Sequence, residues 1–219
     1  MIKLDERLNT IAECTRNNTF FYDIGTDHGY LPVFLVQSGK TERAVAADIA
    51  PFPLSKAESV IKENRLQDKI KTVLCDGLAK IELEFPCDIA IAGMGGDTIC
   101  SIIDEKPELK NQAARLILQP MTKQYELRKY LVKSGFEITE EHLAKDGKIY
   151  QIICAAWDGR KRDVPDEELF LGRPCGVHKN EYLEGRKRTL LTVTEGKKKA
   201  GLDCSFEEKI LNRIEELLK

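Results

Sequence analysis

Asp23-Ile24-Gly25-Thr26-Asp27-His28-Gly29 follows the apolar aromatic run Phe20-Phe21-Tyr22 and precedes a helix-like stretch. A strand, a glycine turn and a helix start, in that order, let a backbone approach a nucleotide-like ligand closely. Three more strand-like runs follow at the spacing of a repeating strand–helix unit. Val45-Ala46-Ala47 ends in Asp48, the next run ends in Leu74-Cys75-Asp76-Gly77, and Ile91-Ala92 ends in Gly93-Met94-Gly95-Gly96. One such turn constrains little. Four strand ends in order, each carrying acid or glycine, specify one edge of a parallel sheet and a binding site along it.

Apolar periodicity predicts an amphipathic helix over 2–16, with Leu4, Leu8, Ile11 and Ala12 on one face. It predicts strands over 20–24, 43–47, 69–74, 88–92 and 115–118. Helices are expected over 31–37, from Pro51 to Asn64, over 97–103 and over 123–133, the last stopping at Gly135. Residues 136–144 and 148–157 read as two strands joined by Asp146-Gly147, a type I′ hairpin signal. The expected fold is α/β: a Rossmann-like, doubly wound sheet closed by an antiparallel terminal hairpin, with a reversed edge strand. Methyltransferase sheets end in such a hairpin, whereas nicotinamide-binding sheets continue in parallel.

After Trp157 the pattern changes. Residues 158–163 form a charged linker, and no further strand is expected. A helix is predicted from His178 to Ala200. A second carries Phe206, Ile210, Leu211, Ile214, Leu217 and Leu218 on one face, and Ser205 with Glu208 reads as its capping box. The chain thus divides into a domain over 1–158 and a helical hairpin over 159–219 docked upon it.

With 219 residues, 42% hydrophobic and 32% charged, the chain can bury one α/β core and an appendage. A net charge of −2 argues against a general nucleic-acid coat. Between Arg173 and Lys199, however, eight Lys/Arg face three Glu. Seven scattered cysteines, odd in number and without Cys-x-x-Cys, argue against a disulfide framework or a metal site and for a reducing, cytoplasmic setting. No apolar run reaches membrane-span length and the N-terminus lacks a signal-peptide core, so no membrane partner is expected.

The first turn is not Gly-x-Gly-x-x-Gly, because Asp27 and His28 stand in its middle. A pyrophosphate would be repelled by Asp27, so a cationic cofactor fits better. S-adenosyl-L-methionine offers a sulfonium and an amino group for Asp23, with Gly25 and Gly29 leaving room for close approach. Asp48, beside Ile49, lies about twenty residues on, where an acid accepts ribose hydroxyls. Asp76 and Gly77 suit the adenine amino group, with Leu78 lining the ring. Gly93, Met94 and Gly95 read as a backbone-lined floor where methyl and acceptor meet. Gln119 is placed to read a base edge, His28 and Tyr30 to contact the acceptor at the mouth. Lys123, Arg128, Lys129, Arg186, Lys187, Arg188 and 197–199 are candidate phosphate contacts. Each motif has a plainer alternative: a strand–helix turn, a helix-capping acid, an Asp-Gly turn, a solvated charged face.

Asp-Ile-Gly-Thr-Asp-His-Gly-Tyr-Leu-Pro, Ala-Ala-Asp-Ile, Cys-Asp-Gly-Leu, Ala-Gly-Met-Gly-Gly and Leu-Gln-Pro-Met together resemble the bacterial tRNA adenine-N1 methyltransferases that modify adenine 22. The resemblance runs from the first helix to Trp157 and extends into the helical tail. It implies that Asp23, Gly25, His28, Gly29, Asp48, Asp76, Gly77 and 93–95 surround S-adenosyl-L-methionine. It also implies tRNA as substrate and a coiled-coil-like C-terminal unit that helps hold it. The expected reaction is direct displacement, with Asp27 accepting a proton or orienting the base and Tyr30 stacking on it. The rival readings are a methyltransferase for rRNA, protein or a small molecule, and a non-catalytic cofactor- or RNA-binding module. An oxidoreductase is disfavoured by Asp27 and by the closing hairpin. The expected state is a monomer or weak homo-oligomer.

Overall fold

Short, almost wholly apolar strands demand cover on both faces. The computed structural model, which describes residues 2–219, supplies it. Strands β1 (Phe20–Ile24), β2 (Ala44–Asp48), β3 (Ile70–Leu74), β4 (Cys87–Gly95), β5 (Ala114–Thr122), β6 (Phe136–Asp146) and β7 (Lys148–Trp157) form one sheet in the order β3-β2-β1-β4-β5-β7-β6. The first five are parallel, and β7 runs antiparallel to both β5 and β6. Strand order reverses between β1 and β4, where a crevice opens beyond the carboxyl ends.

Helices α1 (Glu6–Cys14), α2 (Tyr30–Gln37) and α3 (Pro51–Glu63) cover one face through Ile11, Leu31, Leu35 and Ile61, packed on Phe21 and Ile117. Helices α4 (Gly96–Asp104) and α5 (Gln124–Lys133) cover the other through Ile99, Ile103, Leu127 and Leu131, packed on Ile24 and Ile89. Asp5 caps α1 by accepting the Leu8 N–H at 2.7 Å, and Pro51 opens α3, a position where its missing N–H costs nothing.

The tail comprises α6 (Asp166–Leu171), α7 (Lys179–Lys199) and α8 (Ser205–Leu218). Leu171, Tyr182, Leu183, Leu190, Ile210 and Ile214 form its core, which rests on Leu143 and Ile149 of the β6–β7 hairpin. A buried ion pair anchors the junction. Arg128 of α5 is 2% exposed; it donates to Glu141 on β6, to Gln151 Oε1 on β7 at 2.6 Å and to the Leu169 carbonyl at 3.3 Å. Glu141 accepts the Arg173 N–H in turn. Gly172, at φ 70°, passes over this pair so closely that a Cβ would stand 2.4 Å from Arg128 Nη2. Only glycine fits there. Among the described residues no helix is long and apolar enough to cross a membrane.

Five expectations need correction. The reversed strand is not at the edge: β7 is buried from Gln151 to Ala155, so it takes the inner place and charged β6 the rim. Strands β4 and β5 run past their expected ends at 92 and 118 and stay paired through Gly95 and Thr122, with register shifts either side of Met94, so the glycine segment is bulged strand. At the hairpin only Gly147 has positive φ (67°), so the turn is not type I′, which needs both central residues there. Ser205 is the first residue of α8 and not its cap. Asp203 accepts the Ser205 N–H at 3.0 Å and its hydroxyl at 2.8 Å, while Glu208 turns to Lys198. Helix α6 is additional to the expected elements, because six residues are too few to show a period.

Candidate active site

Asp23 lies one residue before the end of β1, between Ala46 and Ala90 of the flanking strands. It is 8% exposed, and burial pushes its carboxyl up to about 6. The Thr26 hydroxyl and, at longer range, Arg7 draw it back, while Asp48 adds to the rise. No cation stands within ion-pair distance of it among the described residues. The turn above is pinned to β2: the Gly25 and Thr26 N–H groups both donate to the Ala47 carbonyl, at 2.8 and 2.9 Å. Gly25 has φ 79°, and a Cβ there would meet the Met94 Cε at 2.3 Å. The Gly29 N–H donates to Thr26 Oγ1 at 3.2 Å and α2 begins. On the outer lip, His28 Nε2 lies 3.1 Å from Asp27 Oδ2, and its ring stacks on Tyr30 with centroids 5.1 Å apart.

These residues, with Gly93, with Arg7 and Leu8 of α1 and with its cap Asp5, line a cleft of about 400 Å³. The expected site residues Asp23, Gly25, Asp27, His28, Gly29, Tyr30 and Gly93 are therefore together, and Met94 backs Gly25 from behind. Asp48 and Asp76 lie on the next two strand ends, outside these walls. Asp48 accepts the Ala50 N–H at 2.7 Å, and Ile49 beside it is 66% exposed next to exposed Phe52. Gly77 packs against Ile102, where a Cβ would come within 2.9 Å.

Several assignments fail on packing. Leu78 is buried in the core between sheet and α4, so its side chain cannot line a ring at the surface. Gly95 turns toward Thr122 rather than into the cleft. Gln119 is 0% exposed and its Oε1 accepts both Arg7 Nη1 at 3.1 Å and the Gly93 N–H at 3.2 Å, so it holds the cleft wall and cannot read a base. Arg128 is enclosed with Glu141 and out of reach of any phosphate. Arg186 lies over the Phe170 ring at 4.4 Å, and Lys187 pairs with Glu215 at 3.2 Å, so both serve the helical hairpin. Arg188 is exposed, and Lys123 stands exposed at the end of β5, paired with Asp97.

Sequence reasoning missed Thr26 and the α1 wall. Arg7 sits on the polar side of an amphipathic helix, where an arginine ordinarily faces water. Its only signal is that the helix precedes the strand bearing the glycine turn.

The methyltransferase-domain family model matches residues 4–153, which hold the whole cleft. The tRNA (adenine(22)-N(1))-methyltransferase of Bacillus subtilis is 35% identical over 176 residues, 80% of this chain and 74% of its own. A crystal structure of the B. subtilis m1A22 tRNA methyltransferase is similar with a TM-score of 0.78 at 26% identity, covering 100% of this chain and 97% of that one. A Streptococcus pneumoniae chain solved in complex with S-adenosyl-L-methionine gives 0.85 at 25% identity, covering 99% and 100%. The likeness thus extends through the tail as well as the sheet, and the chain belongs to the tRNA (adenine(22)-N1)-methyltransferase family.

Proposed function

We infer that the protein transfers a methyl group from S-adenosyl-L-methionine to N1 of adenine 22 in tRNA. Asp23 carries the reading at the level of the site: a buried carboxylate without a partner cation, beneath a glycine turn that offers Asp27 where a phosphate cradle would offer only amides. A cationic ligand suits it and a pyrophosphate does not. Neighbouring strands lie about 4.8 Å apart, so an elongated nucleoside spans successive strand ends. We assign the aminoacyl end to Asp23, Gly25, His28, Gly29 and Gly93 with Met94 behind them. Asp48 takes the ribose hydroxyls one strand away, with Ile49 beside it, and Asp76-Gly77 takes the adenine edge two strands away.

When bound, the cofactor supplies an electrophilic methyl group on a sulfonium centre. Adenine N1 has a free lone pair, so no residue need deprotonate it before attack. The task of the chain is to hold N1 in line, an orientation effect. Methylation leaves the base cationic until N6 loses a proton, and Asp27, in contact with His28, stands at the lip to accept it. The exposed face of Tyr30 offers a stacking surface for a base taken out of the tRNA core. We assign residues 159–219 to holding tRNA, with Arg188 among their exposed cations and Lys123 of the sheet domain as a further one, in a monomer or weak homo-oligomer working in the cytoplasm.

The test is transfer of labelled methyl to unmodified tRNA, followed by nucleoside mass spectrometry. The expected product is 1-methyladenosine, absent when adenine 22 is replaced by guanine. Methylation that survives the replacement would reject the position, and a different methylated nucleoside would reject the target atom.

A further inference from the structure

Alternate residues of β5 and β7 carry one surface from the core out to the mouth of the cleft. Ile117, Ile152 and Cys154 pack beneath α1. Alternation puts Gln119 and Met121 of β5 and Tyr150 of β7 on the same face, beyond the buried rows. Contacts join them. Met121 Sδ accepts from Gln119 Nε2 at 3.5 Å, Gln119 Oε1 accepts from Arg7 Nη1 at 3.1 Å, and Arg7 Cζ lies 5.7 Å from the Tyr150 ring centroid. Buried Gln119 thus holds Met121 while leaving it 38% exposed, and Tyr150 is half-buried. Together they make an apolar shelf over β5 and β7, across from the Asp27–Tyr30 lip over β1, with Gly93 of β4 between them. A Cβ on Gly93 would meet nothing within 4 Å, so the ground between lip and shelf is open. Lys148 stands at the rim of the shelf. It is exposed, and among the described residues no carboxylate lies within ion-pair distance of it, although Asp146 faces it across the hairpin. Its Nζ rests over the Tyr150 ring at 5.1 Å, whereas nearby Lys145 is paired with Glu181 at 2.7 Å.

We propose that Met121 and Tyr150 seat an unstacked tRNA nucleotide flanking the target adenosine, its base on the thioether and ring and its phosphate on Lys148. The assignment rests on tRNA being the substrate. Taking a base out of the tRNA core loosens its neighbours, which then need a surface to stack on. An accessible aromatic beside an unpaired cation binds single-stranded RNA in this way, through the face of a base and the charge of its phosphate. The flexible lysine stem lets the ammonium leave the ring for a phosphate and free that face. The shelf begins two strand spacings, roughly 10 Å, from β1, within reach of a nucleotide next to one entering at the lip. The other face of the same hairpin carries the tail through Leu143 and Ile149, so RNA held by the tail passes the shelf on its way to the cleft. The cofactor is the competing occupant, but its assigned span runs the other way, from β1 toward the ends of β2 and β3.

The experiment measures the affinity of each variant for unmodified tRNA at several salt concentrations, and for S-adenosyl-L-methionine by calorimetry. Tyr150→Ala and Met121→Ala should each weaken tRNA binding by ~10-fold, the scale of one lost stacking contact, and leave cofactor affinity within ~2-fold. Tyr150→Phe, which keeps the ring, should bind tRNA within ~2-fold of wild type. Lys148→Met, at an exposed position where folding is not at stake, should lower the salt slope of tRNA binding by about one. Unchanged tRNA affinity in both alanine variants, or an unchanged salt slope in Lys148→Met, would overturn the shelf. So would a loss in Tyr150→Phe equal to that in Tyr150→Ala, which would make the contact a hydroxyl hydrogen bond. Equal losses for cofactor and tRNA would hand the surface to the cofactor and overturn it too. The underlying reading fails separately: wild-type protein would then transfer no methyl group to tRNA, whatever the variants do.

Discussion

Asp23 and Glu141 are both buried carboxylates in one sheet, and they are treated in opposite ways. Glu141 is enclosed with Arg128, and the Arg173 amide donates to its other oxygen; Gln151 and the Leu169 carbonyl accept from the arginine. Asp23 has a hydroxyl for company and an arginine at longer range across open space. The first arrangement is complete and joins the tail to the sheet. The second is incomplete and sits in a cleft. A charge left unmatched under cover marks a place where a ligand is expected to bring the counter-charge.

The contrast breaks most visibly at the ion pair. Glu141→Leu strands the Arg128 guanidinium and should cost about 3–5 kcal/mol in denaturant unfolding, yet leave cofactor affinity within ~3-fold. Arg128→Met with Glu141→Leu should recover most of that stability, since an apolar pair of similar volume replaces the charges. Gly25→Val should do the reverse. A side chain at positive φ and against the Met94 methyl should reduce cofactor affinity by ~100-fold or more in calorimetry, with a smaller loss of stability.

Titration sharpens the contrast. The Asp23 carboxyl is raised from 3.8 to about 6, so between those values the folded chain holds a proton that the unfolded chain has lost. Stability from this group therefore falls as pH rises through that window and is flat above it. Cofactor binding needs the ionised form, so affinity should fall as pH drops below about 6, by ~10-fold per unit, and Asp23→Asn should flatten the profile. The smallest effect belongs to the tail surface: Arg188→Ala should raise the KM for tRNA by ~3–10-fold, more at low salt, without changing cofactor affinity.

The sheet was legible because its strands are short, apolar and separated by helices of clear period, as Phe20–Ile24 and Ala44–Asp48 illustrate. What periodicity does not carry is pairing between strands. The extension of β4 through Gly95 depends on β5 beside it, and the inner place of β7 depends on how little charge it carries beside β6. In the site, the shared location of the glycine turn with Asp23, Asp27 and Tyr30 was readable, since residues of one strand–turn–helix segment stay together in the fold. Arginines were not. A helical arginine ordinarily faces water, and only packing sends Arg7 into the cleft and Arg128 into an enclosed ion pair. Gln119 was misread for the same reason, because a polar side chain at a strand end does not announce that it points inward.

The most direct test of the central claim is Asp23→Asn, with thermal or denaturant stability and cofactor affinity measured on the same preparation at neutral pH. Removing a buried charge that the free protein leaves unmatched should stabilise the ligand-free chain by up to about 3 kcal/mol and reduce S-adenosyl-L-methionine affinity by ~100-fold. A variant that is less stable, or that binds the cofactor as tightly as wild type, would show that Asp23 is a structural group like Glu141 and that the cleft does not hold its charge for a ligand.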